Sequence, residues 1–152
     1  MQWTKSENFL PGDGIDIYID WARFLPDNTT FTRVFVRVVD INGTFPIQAQ
    51  RGFASVEFST ARNPFFGFKY EVRATKFNPT LLLIVSFETI DRATNQPCYA
   101  GHSYFPLFMD RVTELPITDA NAQQMLLHKG FYQMPVYSQM PNLSPPITYE
   151  KL

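Results

Sequence analysis

The longest apolar run in the chain is Leu81-Leu82-Leu83-Ile84-Val85, continued by Ser86-Phe87 and ending near Ile90. Asn78-Pro79 opens it and the polar cluster Arg92 to Pro97 closes it. Periodicity alone does not separate such a run from a buried helix. Asn78-Pro79 argues for a strand buried on both faces, because a proline pushes the residue before it out of the helical region. Around this run, apolar and polar positions alternate with period two. Ile15, Ile17, Ile19 and Trp21 alternate with Asp16, Tyr18 and Asp20. Val34, Val36 and Val38 stand opposite Arg33, Phe35 and Arg37, and Phe68, Tyr70 and Val72 opposite Lys69, Glu71 and Arg73. Each stretch predicts a strand with one face in a core and one in water.

Three further strands are expected. Ala54 to Phe58 is short, and Tyr99 to Phe108 is interrupted by Gly101 and Pro106, so bulged or at an edge. Phe131 to Tyr137 is the last, whereas Phe45 to Gly52 shows no pattern. Asp27-Asn28-Thr29-Thr30 and Asn42-Gly43 supply turns. Only Thr118 to Lys129 has helical character: Thr118 or Asp119 can cap it and Gly130 can end it, which predicts one or two turns. The expected organisation is an arm at 1–13, one domain at 14–137, and an extended tail at 138–152 that holds Pro141, Pro145 and Pro146.

Composition narrows the function. Hydrophobic residues make up 45% of the chain and aromatics 16%, enough for a packed core. The formal net charge of −1 offers no global attraction to nucleic acid or an anionic membrane. A single cysteine, Cys98, excludes an internal disulfide and fits a reducing compartment. Met1 to Lys5 carries no apolar h-region and no apolar run reaches membrane-spanning length, so a cytoplasmic location is expected. Asn28-Thr29-Thr30 and Asn42-Gly43-Thr44 are accordingly read as turns and not as glycosylation acceptors.

The order of these pieces resembles the C2 domain, the β-sandwich named for calcium and lipid binding. Gly14 to Pro26 looks like its opening strand with an Ala-Arg-x-Leu ending. Asn63-Pro64-Phe65-Phe66-Gly67-Phe68-Lys69-Tyr70-Glu71-Val72 is similar to its Asn-Pro-x-Trp-Asn-Glu segment, with Phe66 at the tryptophan position. Leu83 to Asp91, Gly101 and Pro106-Leu107 match the strand, loop and strand that follow. Ile17 to Asn28 and Lys129 to Tyr137 further resemble a divergent branch associated with ciliary coiled-coil proteins such as coiled-coil domain-containing protein 17. The resemblance implies a single antiparallel β-sandwich, all-β apart from one short helix and extended terminal arms.

The resemblance also says where sites would lie. A calcium-binding C2 domain gathers about five aspartates from loops at one end, because Ca²⁺ takes six to eight oxygens. Here Asp27 and Asp91 are the only loop carboxylates that fall in place, and both read equally as turn formers. No metal and no cofactor is therefore expected. The calcium-independent lipid surface of the family is a basic sheet face, for which Arg33, Arg37, Lys69 and Arg73 are the candidates. Glu71 stands among them, and interspersed charge is also what the solvated side of any half-exposed strand carries.

Catalysis finds no foothold: His102 and His128 have no acidic or nucleophilic residue at a telling spacing, and no phosphate loop or nucleophile motif occurs. Fifteen phenylalanines, clustered at Phe65-Phe66-Phe68, Phe105 and Phe108, and Phe131, exceed what one core needs, so some aromatic surface is expected to meet a partner or the chain's own arms. In the tail, Pro141, Leu143, Pro145, Pro146 and Tyr149 suit docking in a groove. The function expected is a calcium-independent, non-enzymatic protein–protein interaction module. Its partners are other proteins of a larger complex, by resemblance the ciliary axoneme, with neither nucleic acid nor a small-molecule substrate. The alternative is a membrane- or phospholipid-targeting C2 domain.

Overall fold

The computed structural model describes residues 3–10, 12–74, 76–147 and 152, the first three by their backbone. Its strands are β1 (Trp3–Asn8), β2 (Ile15–Trp21), β3 (Thr32–Val39), β4 (Gln50–Phe53), β5 (Phe65–Val72), β6 (Leu82–Ile90), β7 (Pro97–Pro106), β8 (Phe108–Asp110) and β9 (Met125–Phe131). The fold is all-β, with antiparallel sheets packed as a β-sandwich. A four-stranded sheet, β4-β3-β6-β7, faces the pair β2-β5, and a three-stranded sheet, β1-β9-β8, contributes to the same core.

The apolar run occupies the middle of this arrangement. β6 lies between β3 and β7 and is buried from Leu82 through Phe87. Leu83, Val85 and Phe87 pack into the main core with Val34, Val36 and Val38 of β3 and with Phe66, Tyr70 and Val72 of β5. Leu82 and Ile84 point the other way, into a second cluster with Val39 and Ile147. Tyr70 is wholly enclosed, and its hydroxyl donates to the Gln48 carbonyl at 3.0 Å. Gly52 of β4 sits where the two sheets come closest: a Cβ there would lie 2.5 Å from the Phe68 ring. The expected bulge in β7 is present, since Phe87 pairs with Gly101 but Glu88 pairs with Tyr99.

Three local expectations are corrected. There is no helix among the described residues. Asp119 caps nothing; its carboxylate accepts the Asn121 amide at 2.9 Å in a tight turn. Met125 to Phe131 then enters the sheet between β1 and β8, gaining hydrogen-bond partners on both sides that a one- or two-turn helix could not offer. The short strand after β3 is Gln50–Phe53 and not Ala54 to Phe58. The alternating residues Val56 and Phe58 belong to a turn and are largely exposed, so their pattern marks a surface and not a core face. The last strand ends where it was expected to begin, and beyond it, among the described residues, Tyr137 alone makes a β-bridge, to His102.

Much of the two terminal segments is engaged with the sandwich. β1 pairs along its length with β9, and Glu7 meets Lys129 at 2.7 Å. Phe9 is buried with its ring 4.8 Å from Phe77 and 5.0 Å from Phe108. At the other end, Tyr137 exchanges two 2.7 Å backbone hydrogen bonds with His102 and stacks on Tyr104 at 5.2 Å. Gly101 lies so close under Val136 that a side chain would collide with it. The tail then crosses the outer face of the four-stranded sheet. Pro141 and Ile147 are buried, and the Ile147 amide donates to the Ile41 carbonyl at 2.8 Å.

Both sides of β6 should therefore carry stability. Leu83→Ala is expected to lower it by roughly 2–5 kcal/mol in denaturant unfolding, through a cavity in the main core, and Ile147→Ala by a similar amount through the outer cluster. An Ile147→Ala variant as stable as the parent chain would show that the tail contributes no packing energy.

Candidate functional site

Three connections meet at one end of the sandwich: residues 22–31, 54–64 and 91–96. Backbone bonds hold them in place, Leu25 N–H to Arg62 O at 3.0 Å, Ala22 N–H to Pro64 O at 3.1 Å and Arg92 N–H to Asn28 O at 2.9 Å. The two loop carboxylates lie here, each serving to tie the loops together. Asp27 forms an ion pair with Arg62 at 3.1 Å. Asp91 accepts from the Asn28 side chain at 2.9 Å and from the amides of Ala93 and Thr94 at 2.7 and 3.1 Å. The Asn28 hydrogen bond, followed by those amides, holds the Asp91 carboxyl below the usual carboxylate range. Among the described residues no three His, Cys, Asp or Glu side chains gather where they could hold a metal ion.

The same end presents apolar surface. A cleft of about 320 Å³ opens between the start of β3 and the second loop, lined by Phe31, Thr32, Ala54, Val56 and Pro64, with Arg92 beside them. Phe31 and Val56 are 77% and 78% exposed. Thr32 is buried, and its hydroxyl has no hydrogen-bond partner. On the neighbouring loop Phe24 is 80% exposed and adopts φ 58, in the left-handed region. A bulky side chain pays roughly 1–2 kcal/mol for that conformation. Here it is held by the Asn63 side chain, which accepts the Phe24 amide at 3.0 Å. Trp21 and Phe58 flank Phe65 at 4.7 and 6.2 Å and extend the aromatic surface.

The four candidate basic residues are split between opposite sheets. Lys69 lies on β5 and Arg73 just past its end, both among carboxylates: Arg73 meets Asp16 at 2.5 Å and Lys69 meets Glu71 at 3.0 Å. Arg33 and Arg37 lie on β3 on the outer face of the four-stranded sheet. There Arg33 and Arg51 both reach Glu88, at 3.3 and 2.8 Å. Arg37 is half-buried with its guanidinium over Phe35 at 4.9 Å and Phe45 at 5.8 Å. Burial, more than any neighbouring charge, lowers its pKa. The alternation along β3 placed Arg33 and Arg37 on one face. Arg51 and Phe45 lie in or beside the patternless stretch, so nothing in the sequence linked them to it.

Next to this group, on the covered part of the face, the Ser86 hydroxyl lies 2.8 Å from His102 Nδ1. Both residues are buried, which seals the hydroxyl from any substrate and fixes the ring. Of the tail candidates, Pro141 is buried, Leu143 is half-buried, Pro145 lies against Gly43, and Pro146 is exposed. Tyr149 lies outside the described residues.

No known protein-family model matches this chain, and comparison with curated proteins finds no match either.

Burial, and then the charge of Arg37, lowers the His102 pKa, and burial lowers that of His128. The unfolded chain therefore takes up protons first as pH falls through the ordinary histidine range near 6.5. Stability should be complete above that range and fall as pH drops through it. His102→Asn, which keeps a polar partner for Ser86, should flatten the dependence in denaturant melts. A parent chain equally stable on both sides of that range would contradict the assignment.

Proposed function

We propose that this chain is a calcium-independent, non-catalytic protein-interaction module of the C2 type that serves as a structural component of a larger assembly. The observation that carries the binding role is the loop end. Phe24, Phe31 and Val56 stand exposed around a cleft, and one of them is held there against its backbone preference. Such strain concentrates at functional sites when the surrounding structure enforces it. Exposed aromatic residues are also what interface anchors are made of. The C2 assignment is supported by the motifs in Gly14 to Pro26 and Asn63 to Val72 together with the sandwich they sit in. The assembly, the ciliary axoneme, and a location in the cytoplasm or cilium are supported by the resemblance alone. Calcium independence is supported by the engagement of Asp27 with Arg62 and of Asp91 with its own loop.

The test separates the parts. A ligand present at a hundred times its dissociation constant adds about 2.7 kcal/mol to folding, so a calcium site filled at millimolar Ca²⁺ would register in melting temperature. No resolved shift is expected; a rise abolished by Asp91→Asn would overturn calcium independence. Phe24→Gly relieves the left-handed backbone and should leave stability unchanged or raised. Combined with Phe31→Ser and Val56→Ser, it should abolish cross-linking of the chain to proteins of a native extract, with calcium and with a chelator alike. Co-sedimentation with phospholipid vesicles that depends on these same residues would instead make the module a membrane-targeting one.

A further inference from the structure

The outer face of the four-stranded sheet is divided in two. Over part of β6 and β7 it is covered by the tail, with Ile147 against Leu82 and Ile84 and the buried Ser86–His102 pair on the same face. Toward β4 it carries Arg33, Arg37 and Arg51, the rings of Phe35 and Phe45, and one carboxylate, Glu88. Among the described residues, three guanidiniums against one carboxylate leave a net of two positive charges on this part of the face. Arg33 and Arg51 share Glu88. Arg37 has no carboxylate within ion-pair distance among the described residues, and its buried Nε has no hydrogen-bond partner. Its half-buried guanidinium has ring faces beside it and only the longer-range charge of Glu88 to offset the lost water, while Arg51 lies over the same Phe35 ring at 4.0 Å.

A partly desolvated cation without a counter-ion is unfavourable, and a paired one much less so. The arrangement is also pre-organised. The planar guanidinium lies beside both rings, and such a group matches a carboxylate in a two-point contact. Arginine beside exposed aromatic rings is the composition of an interface anchor. We propose that this face binds an acidic peptide segment of a protein partner, one of whose carboxylates pairs with Arg37 beside Phe35 and Phe45. The inference rests on the reading of the chain as a protein-binding module and adds the chemistry of one partner segment. A peptide suits the face better than an anionic membrane. Membranes attract clusters of free basic side chains, whereas here two guanidiniums are tied to Glu88 and the third is recessed beside two rings. The opposite sheet has its own basic side chains, but Asp16 and Glu71 occupy them.

The experiment titrates the ¹⁵N-labelled full chain with a short capped peptide of alternating Glu and Tyr, and with the same peptide carrying Gln for Glu. Shifts from the Glu peptide should saturate and cluster on β3, β4 and β6 around Phe35, and the Gln peptide should bind about tenfold more weakly or not at all. Arg37→Gln should weaken the Glu peptide by a similar factor, and Lys69→Gln on the opposite sheet should leave it unchanged. Should Arg37→Gln melt poorly, the exposed Arg51→Gln and the shift map of the parent chain decide the matter. Equal binding of the two peptides, or shifts centred elsewhere, would overturn the proposal. So would inorganic phosphate binding the face as tightly as the peptide, or vesicles of phosphatidylcholine and phosphatidylserine binding through these arginines in its place. None of these results touches the loop-end variants, so this inference can fail while the module reading stands.

Discussion

A strand that is apolar on both sides has to be covered on both sides, and β6 imposes that demand on the rest of the chain. Its inner residues Leu83, Val85 and Phe87 are met by the opposing pair β2-β5, which is the ordinary bargain of a sandwich. Its outer residues Leu82 and Ile84 face away from that core and would meet water if the chain stopped at Tyr137. Ile147, with Leu143 and Tyr104 around it, closes that side. The tail is thereby drawn into the architecture by the same run of residues that organises the core. The backbone follows suit: Tyr137 bridges to His102, and Ile147 donates to Ile41.

How much of this the sequence discloses depends on whether a residue's partner is local. The period-two stretches at Ile15–Trp21, Thr32–Val39 and Phe65–Val72 became strands because each buries one face by its own alternation. The apolar run likewise disclosed β6 and its two buried faces. What covers the outer face was invisible, since Pro141 to Ile147 has no periodicity and is recruited only by the shape of the sheet. β1 is the same case: Trp3 to Asn8 is mostly polar, and its register is set by β9, more than a hundred residues away. β9 in turn was hidden by good helix formers around Met125-Leu126-Leu127, whose local preference loses to hydrogen bonding on both edges.

The candidate sites divide along the same line. Asp27 and Asp91, chosen by analogy with calcium loops, lie at the end where three connections meet, and their chemistry is set by neighbours a loop away. Arg62 takes Asp27, and Asn28 takes Asp91. The basic residues were chosen by strand alternation, which says which side of its own strand a residue takes and nothing about which sheet that strand joins. Arg33 and Arg37 went to one sheet, and Lys69 to the other, with Arg73 just past the end of its strand. Their surroundings then differ sharply, Lys69 and Arg73 lying among carboxylates while Arg37 rests on rings.

Two surfaces consequently stand apart from the rest of the exterior, and for different physical reasons. At the loop end, Phe24 keeps an unfavourable backbone conformation held by Asn63 and the Leu25–Arg62 bond, and its side chain is largely exposed. On the outer sheet face, Arg37 gives up part of its hydration while the nearest carboxylate serves two other guanidiniums. In both places the domain carries a local cost that its own contacts offset only in part. On the two proposals made above, a partner would offset these costs with an apolar side chain at one surface and a carboxylate at the other. A single extended partner offering both would engage the sandwich at its end and on its face at once, and its affinity would then rise well beyond that of either contact alone.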